Sequence, residues 1–244
     1  MPFGRLTPIA RSILGPSRLG ALTYRRYPAL GRAWGGPMNG QAGRCKLVAD
    51  LISRCNFAAV VETGTFRGTT TEWLSAFRVP IYTCEASPEN FGFAQARLSG
   101  LPDITLLHMD SRAALRHLLF GQLAFEDAPI LFYLDAHWND DLPLADEIEI
   151  ICDAHHEAVI LIDDFSVPDD PGYAYDDYGT GKALTVDYVA TAVAKYDLLC
   201  RYPSIRSDAE TGAKRGCVVI SRRNSQVAKH LGSSVYLRHA PFTH

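Results

Sequence analysis

Short apolar runs that each end at an acidic residue recur at nearly even intervals along this chain. The acids that close or follow these runs are Glu62, Glu85, Asp110, Asp135 and the pair Asp163–Asp164. The intervals between them are 23, 25, 25 and 28 residues. A strand–helix repeat of a parallel sheet needs about that much chain, because the crossover must return the chain to the same edge. The spacing therefore predicts a parallel sheet with carboxylates gathered at the carboxyl ends of its strands, where ligands bind in open α/β sheets.

The residues between these acids predict alternating strands and helices. We expect helices over 43–56, 69–78, 88–99, 111–120, 142–154 and 182–195. We expect strands over 58–62, 80–85, 104–109, 129–135, 158–163, 197–203 and 216–222. The link at 207–215 is compatible with a hairpin. The expected fold is therefore three-layer α/β, with a mostly parallel seven-stranded sheet whose last strand is antiparallel, and with a binding loop or lid at 165–182.

Charge is distributed unevenly along the 244 residues. Residues 1–49 carry seven arginines, one lysine and no acid, which gives them a charge of +8 against −11 for residues 50–244. We expect a basic, acid-free N-terminal arm or cap at 1–42, followed by one domain at 43–244. A transit peptide and an arm that binds an anionic surface are the alternatives. Nucleic acid is not an expected partner, because the negative domain repels phosphate.

The composition is that of an ordinary globular chain, with 47% hydrophobic and 21% charged residues. The six cysteines lack zinc-site spacing and lie mostly in apolar runs, which predicts reduced thiols in a cytoplasmic protein. No run approaches the roughly 20 apolar residues that cross a bilayer, so no membrane span is expected. The sequence leaves open whether the chain forms a homo-oligomer.

A turn with two glycines, ETGTFRGTTT at 62–71, follows the first predicted strand. Glycine allows a ligand to approach the backbone closely, and the helix that follows offers free N–H groups. Glu85 closes the next strand, where nucleoside and dinucleotide sites place the acid that binds ribose hydroxyls. Asp110 and Ser111 follow the third strand and are placed to meet an adenine amino group. A tight turn, a solvated loop acid and a helix cap are the purely structural alternatives.

On these motifs the sequence resembles the class I S-adenosylmethionine-dependent methyltransferases, from Glu62 to about Ile220. The segments that carry the resemblance are ETGTFRG, CEAS, MDS and LDAH. The resemblance implies a Rossmann-like fold and S-adenosylmethionine as the cofactor. The residues that it assigns to the cofactor site are Glu62, Thr63, Gly64, Thr65, Gly68, Thr69, Thr70, Glu85, Ala86, Asp110, Ser111 and Asp135.

The E-x-G-x-x-x-G form of the first motif is similar to that of small-molecule and sugar O-methyltransferases, which often carry a divalent ion. The resemblance implies methyl transfer to a hydroxyl of a small molecule or sugar. It also implies Mg²⁺ at Asp135, Asp163 and Asp164, where the ion would polarise that hydroxyl. The acidic pair also fits a helix cap.

Methyl transfer to oxygen needs a group that takes the hydroxyl proton. His137 is the expected general base, because imidazole titrates near neutrality, and Lys182 is a second candidate. Catechol-type relatives have a lysine three residues after the Asp of the fourth motif, where this chain has Trp138, and this difference disfavours a catechol acceptor. The aromatic residues expected to wall the acceptor site, or to pack the loop, are Trp138, Tyr173, Tyr175 and Tyr178.

Two other classes of function fit parts of the sequence. Short-chain oxidoreductases use NAD(P), a TGxxxGxG turn and a YxxxK pair, which Tyr178 and Lys182 match. Gly179 and Gly181 lie between those two residues and each disfavours the helix that this pair requires, by about 1 kcal/mol. A non-catalytic Rossmann-like binding protein is the third class, although carboxylates kept near a buried edge without a ligand cost stability.

Overall fold

The computed structural model describes residues 14–124, 126–137 and 141–239. Eight α-helices lie in this part of the chain. They are α1 Pro16–Arg26, α2 Ala42–Cys55, α3 Thr69–Leu74, α4 Pro88–Leu98, α5 Ser111–Leu119, α6 Leu144–Ala154, α7 Val186–Lys195 and α8 Val227–Gly232. Short 3₁₀ segments at Pro28–Gly35 and Pro37–Gly40 join α1 to α2, and another at Ser75–Phe77 extends α3.

The strands follow the predicted rhythm closely. They are β1 Ala59–Thr63, β2 Ile81–Cys84, β3 Ile104–Leu107, β4 Ile130–Leu134, β5 Ala158–Asp163, β6 Leu198–Pro203, β7 Cys217–Arg222 and β8 Leu237–Arg238. They form one sheet in the order β3-β2-β1-β4-β5-β7-β6-β8. The first five strands pair in parallel, and β7 runs antiparallel to both β5 and β6. The predicted α/β fold is confirmed, with the two-residue β8 added at one edge.

Two hydrophobic layers cover the sheet because side chains alternate between its faces along each strand. Ala59 and Val61 of β1 pack into the layer that contains α5, α6 and α7, whereas Val60 packs into the layer that contains α2, α3 and α8. The central strands β1, β4 and β5 are buried along their whole length. This burial explains why their sequences are continuous apolar runs that end at an acid.

The described part of the predicted N-terminal arm packs against the domain. Helix α1 lies along α4 at close range: a Cβ at Gly20 would clash with the Glu89 carbonyl, and one at Gly92 would clash with Ser17. Met38 of the second 3₁₀ segment is fully buried, and its N–H donates to the Thr70 hydroxyl at 3.3 Å. None of the helices in the described ranges is long and apolar enough to cross a membrane.

Candidate active site

The β1–α3 turn is shaped by residues with positive φ. Gly64 has φ 84°, and a Cβ there would clash with the backbone carbonyl of Asp135, at the end of the neighbouring strand β4. Gly68 has φ 73° and immediately precedes α3, while Phe66 between them also lies in the left-handed region at φ 49°. The backbone of the turn therefore packs directly against the end of β4. This close packing leaves an open crevice at the carboxyl ends of the strands.

Glu62 is the buried acid at the base of this turn. Its Oε2 accepts hydrogen bonds from the hydroxyls of Thr71 at 2.5 Å and Thr83 at 2.6 Å, and the Thr65 hydroxyl lies 2.6 Å from that of Thr83. Burial raises the pKa of Glu62 to about 7, although the two threonine hydroxyls act against the shift. The carboxyl group thus titrates near neutrality and would bind a cation such as an amine in its ionised form.

Glu85 faces the same turn from the end of β2. One carboxylate oxygen accepts the Phe66 N–H and the other the Ser87 N–H, both at 2.7 Å. Each oxygen has a second lone pair, so two further donors find acceptors on this side chain. Burial raises its pKa, and the two backbone hydrogen bonds oppose the rise. Ala86, which follows it, is exposed. A pair of vicinal ribose hydroxyls matches the remaining acceptor positions.

Asp110 and Ser111 begin α5. The Asp110 carboxylate accepts the Arg112 N–H at 3.0 Å and the Ala113 N–H at 3.3 Å, and it forms an ion pair with the Arg112 side chain. The pKa of Asp110 is lowered, chiefly by the hydrogen bond from the Arg112 side chain. The structure therefore gives Asp110 the local role of a helix cap.

A buried carboxyl group that the sequence did not point to lies beside Ser111. Glu147 of α6 is 1% exposed, and burial raises its pKa while the Ser111 and Thr63 hydroxyls lower it in part. Glu147 lies three residues after Leu144 and one before Ile148, which places it on the apolar face of the helix. This spacing is the sequence signal that could have identified it as a buried acid.

The far end of the crevice gathers acids around one imidazole. His137 Nε2 lies 4.0 Å from an oxygen of Asp135, 3.9 Å from one of Asp164 and 3.7 Å from one of Asp176. His137 is 5% exposed, and its Nε2 has no hydrogen-bond partner among the described residues. Ligand atoms of Asp135, His137 and Asp164 all lie within 4.8 Å of one another. Asp176, from the loop at 165–182, is a member of this group that sequence reasoning missed.

Arg215 closes the acid group from the β7 side. Its Nε lies 2.6 Å from Asp164, and its Nη2 forms an ion pair with Asp176. Its backbone is held by the side chain of Gln41, which accepts from the Arg215 N–H at 2.7 Å and donates to the Arg215 carbonyl at 2.9 Å. The link at 207–215 thus delivers a guanidinium to the site.

The neighbouring charges shift the pKa values of Asp135 and Asp164 in opposite directions. Burial alone would raise the pKa of Asp164, but His137 and Arg215 outweigh it and the pKa lies below its ordinary value. Asp135 is 36% exposed to the crevice but is surrounded by protein below; that burial, and then the charge of Asp164, raise its pKa to about 8. The pKa of His137 is raised, because the carboxylates outweigh burial. The raised pKa values of Asp135 and His137 mean that bound protons offset the negative charge that these carboxylates would otherwise concentrate.

Asp163, predicted as a metal ligand, is placed elsewhere. It is fully buried, and its carboxylate forms an ion pair with Arg44 of α2 and accepts hydrogen bonds from Tyr133 and from Asn39, the latter at 3.3 Å. These contacts point it to the α2 side of the sheet, whereas Asp164 faces the crevice. The structure thus separates the two members of the acidic pair, and His137 rather than Asp163 lies with Asp135 and Asp164.

The loop at 165–182 differs from the geometry that an oxidoreductase pair needs. Residues 178–182 form a tight turn in which the Lys182 N–H donates to the Gly179 carbonyl, with Gly179 and Gly181 at positive φ. The Tyr178 hydroxyl donates to Asp176 at 2.5 Å, and the Lys182 side chain is exposed. Tyr178 and Lys182 therefore do not share a helix face.

Of the remaining predicted wall residues, Tyr173 is buried and donates its hydroxyl to the Ile205 carbonyl at 2.9 Å, which makes it a packing residue of the loop. Tyr175 is 40% exposed. Trp138 lies outside the described residues.

A cavity runs along the strand ends between the two groups of acids. Its volume, including the open solvent in front of it, is about 410 Å³. The residues that line it are Gly36, Asn39, Glu62, Gly64, Thr65, Phe66, Thr69, Thr70, Tyr133 and Asp135. Two of these, Gly36 and Asn39, come from the N-terminal segment, which therefore forms one wall. Six of the other eight are residues that the sequence assigned to the cofactor site: Glu62, Gly64, Thr65, Thr69, Thr70 and Asp135.

No model of a protein family matches the chain, and no curated protein matches its sequence. Solved structures do match its fold. An O-methyltransferase from Bacillus cereus in complex with SAH is 15% identical over 88% of this chain and 96% of its own, with a TM-score of 0.55. A putative O-methyltransferase from Klebsiella pneumoniae is 14% identical over 88% and 94%, with a TM-score of 0.50. The methyltransferase domain of the bacterial CtHen1 is 16% identical over 73% and 97%, also at 0.50.

The chain has the class I methyltransferase fold. This confirms the family resemblance read from ETGTFRG, CEAS, MDS and LDAH at the level of the fold. In the class I methyltransferase fold of this chain, the four segments lie at the carboxyl ends of β1, β2, β3 and β4, side by side in the order β3-β2-β1-β4. The cavity opens above β1 and β4.

Proposed function

We propose that this protein is an S-adenosylmethionine-dependent methyltransferase that acts on a hydroxyl of a small molecule or sugar. The observation that carries the proposal is the arrangement of two different acid groups at the strand ends. Glu62 and Glu85 flank the glycine turn, and Asp135 with His137 and Asp164 lies beyond it. One group suits a cofactor rich in hydroxyls with one amine, and the other suits the reacting oxygen.

The group formed by Glu62, Glu85 and the glycine turn, here called the cofactor half, matches the hydrogen-bond donors and the amine of S-adenosylmethionine. Glu85 would accept hydrogen bonds from both ribose hydroxyls, and Glu62 would face the amine of the amino-acid end. Gly64 leaves the space that a Cβ would fill. The cofactor supplies an electrophilic methyl group. The chain contributes the close backbone approach and the carboxylates that orient the cofactor in the crevice.

The second group, here called the acceptor half, consists of Asp135, His137 and Asp164. These three residues would hold a divalent cation. With Asp135, Asp164 and Asp176 all ionised and His137 neutral, as in a metal site, Arg215 would leave two negative charges unbalanced, which a divalent ion would neutralise. The buried, unpartnered His137 Nε2 is a ready ligand atom. A cation there would lower the pKa of an acceptor hydroxyl. The imidazole makes Mn²⁺ or Zn²⁺ as suitable as the Mg²⁺ expected from the sequence, and Asp163 leaves the set.

The same geometry favours a second, metal-free version of the reaction. In it, His137 Nε2 takes the proton of the acceptor hydroxyl, as predicted from the sequence. Asp135, Asp164 and Asp176 then stabilise the imidazolium through their charges at 3.7–4.0 Å. The two versions differ in whether Nε2 binds a cation or a proton.

Calorimetry on the full chain tests the proposal at both ends. We expect S-adenosylhomocysteine to bind, and NAD⁺ and NADP⁺ not to bind. Binding of NAD(P)⁺ without S-adenosylhomocysteine would overturn the proposal in favour of an oxidoreductase.

The metal site is tested with Mn²⁺ alone, which should bind the wild type. It should bind Asp164→Asn at least tenfold more weakly. The control Asp146→Asn changes an exposed acid of α6 and should bind Mn²⁺ as the wild type does. Absence of Mn²⁺, Mg²⁺ and Zn²⁺ binding, with methyl transfer that survives a chelator, leaves the metal-free version.

A further inference from the structure

Helix α1 presents one solvent-facing side made of arginines and a leucine. At 100° per residue, Arg18, Leu22, Arg25 and Arg26 fall within about 100° of the helix circumference, opposite Gly20. The arginines are exposed, and the Leu22 side chain is 44% exposed. We call this set of four residues the α1 face. None of the four residues lines the cavity at the strand ends.

The α1 face is rigidly mounted. Gly20 and Gly92 allow the backbones of α1 and α4 to touch, because a side chain at either position would clash with the other helix. The Ser17 hydroxyl donates to the Pro88 carbonyl at 3.0 Å, and the Tyr24 and Phe93 rings meet edge to face at 5.2 Å. The opposite side of the helix is thus fixed, and the arginines stand on a firm support rather than on a loose tail.

The charge of the α1 face is unbalanced. Among the ion pairs of the described residues, none involves Arg18, Arg25 or Arg26, nor the exposed Arg32 that follows them. The sequence has no acid before Asp50, while residues 50–244 carry −11. Exposed arginines without a carboxylate partner make the α1 face attract anions.

We infer that the α1 face binds the surface of anionic phospholipid membranes. Leu22 stands among the arginines, and Tyr27, 43% exposed, follows at the end of the helix. Apolar side chains among arginines on one helix suit the boundary between headgroups and acyl chains. A nucleic acid would instead need a continuous basic track, and the negative remainder of the chain repels it.

Sedimentation with vesicles tests this inference on the full chain. We expect binding to vesicles of one part phosphatidylglycerol to two parts phosphatidylcholine, and little binding to phosphatidylcholine alone. Each arginine near an anionic surface contributes roughly fivefold, so Arg18→Gln/Arg25→Gln/Arg26→Gln should weaken binding on the order of a hundredfold. The control Arg78→Gln/Arg116→Gln/Arg223→Gln makes the same change in net charge on other exposed surfaces and should weaken it far less.

Leu22→Ala separates lipid from other polyanions. It leaves the charge unchanged, should weaken vesicle binding several-fold, and should alter thermal unfolding little because 44% of the residue is exposed. Absence of binding to anionic vesicles, or equal loss in both triple variants, would overturn the inference. So would tighter binding to an RNA oligonucleotide that depends on the same arginines and not on Leu22. None of these outcomes depends on methyltransferase activity.

Discussion

The two ends of the crevice hold their carboxylates in opposite ways. At the β1–β2 end, Glu62 and Glu85 each accept two hydrogen bonds from neutral hydroxyl or amide donors of the chain itself. At the β4–β5 end, three aspartates face one buried imidazole nitrogen at 3.7–4.0 Å, beyond hydrogen-bond distance. The first end is organised before any ligand arrives, whereas the second concentrates negative charge that a cation or a proton must balance.

This difference indicates that one end of the crevice suits recognition of the cofactor and the other suits chemistry on the acceptor. Acids fixed by neutral donors keep their geometry and retain free lone pairs, which suits recognition of a large cofactor. Acids that repel one another respond strongly to any positive charge, which suits chemistry at a hydroxyl. A substitution at one end of the crevice should leave ligand binding at the other end unchanged, so the other end serves as an internal reference.

The largest effect is expected at Asp163. Its replacement by asparagine removes the counter-charge of the buried Arg44, and breaking a buried pair in this way costs about 3–5 kcal/mol. Chemical denaturation should therefore show a large loss in the free energy of unfolding. Asp141→Asn, which removes an exposed partner of Arg112, is the matched control and should cost under about 1 kcal/mol. If Asp163→Asn keeps its stability and loses only divalent-cation binding, the original assignment of Asp163 as a ligand is right.

The next largest effect is expected at Glu85. Glu85→Ala removes the acceptors proposed for two ribose hydroxyls, and hydrogen bonds to a charged group are worth about 1.5–3 kcal/mol each, so affinity for S-adenosylhomocysteine should fall at least about 100-fold. Calorimetry measures it directly, with Mn²⁺ binding at the other end as the reference. Glu72→Gln changes a half-exposed glutamate of α3 and should leave the affinity unchanged. A loss below tenfold would remove Glu85 from the cofactor site.

The sequence predicted the strand ends, and with them Glu62, Glu85, Asp135 and the acidic pair, because apolar runs and their spacing are local properties. It could not say which member of the pair faces the crevice. Asp163 lies on the same face of β5 as Val159 and Leu161, the α2 side, and so it meets Arg44. That outcome depends on which helix covers which face, and the period of two alone does not reveal it.

Contacts between segments that are distant in the chain likewise could not be predicted from the sequence. Asp176 and Arg215 meet across 39 residues through a loop and a link that have no periodic pattern. The Gln41 side chain that clamps the Arg215 backbone lies 174 residues away from it. The acceptor end is built mainly from such long-range contacts, whereas the cofactor end is built from short βα turns. This is why sequence reasoning described the cofactor end more completely.

A smaller effect is expected from pH at the cofactor end. The folded-state pKa of Glu62, about 7, lies above the ordinary value of 4.5. The folded chain without ligand then binds more protons than the unfolded chain between those values, so the contribution of Glu62 to stability falls as pH rises through that window. A bound amine favours the carboxylate, so affinity for S-adenosylhomocysteine should rise about fivefold from pH 6 to pH 7. In Glu62→Gln that pH dependence should vanish; if it persists unchanged, another group titrates.

The smallest effect on binding is expected at Asp110, the third acid that the sequence assigned to the cofactor. In the structure its oxygens cap α5 and pair with Arg112, so Asp110→Ala should cost about 1 kcal/mol of stability, as the loss of an N-cap does. Thermal unfolding measures that cost, and calorimetry should show S-adenosylhomocysteine affinity within about twofold of wild type. A tenfold loss of affinity with unchanged stability would instead make Asp110 the adenine contact. The organised end of the crevice would then extend to β3, as the spacing of the acids suggested.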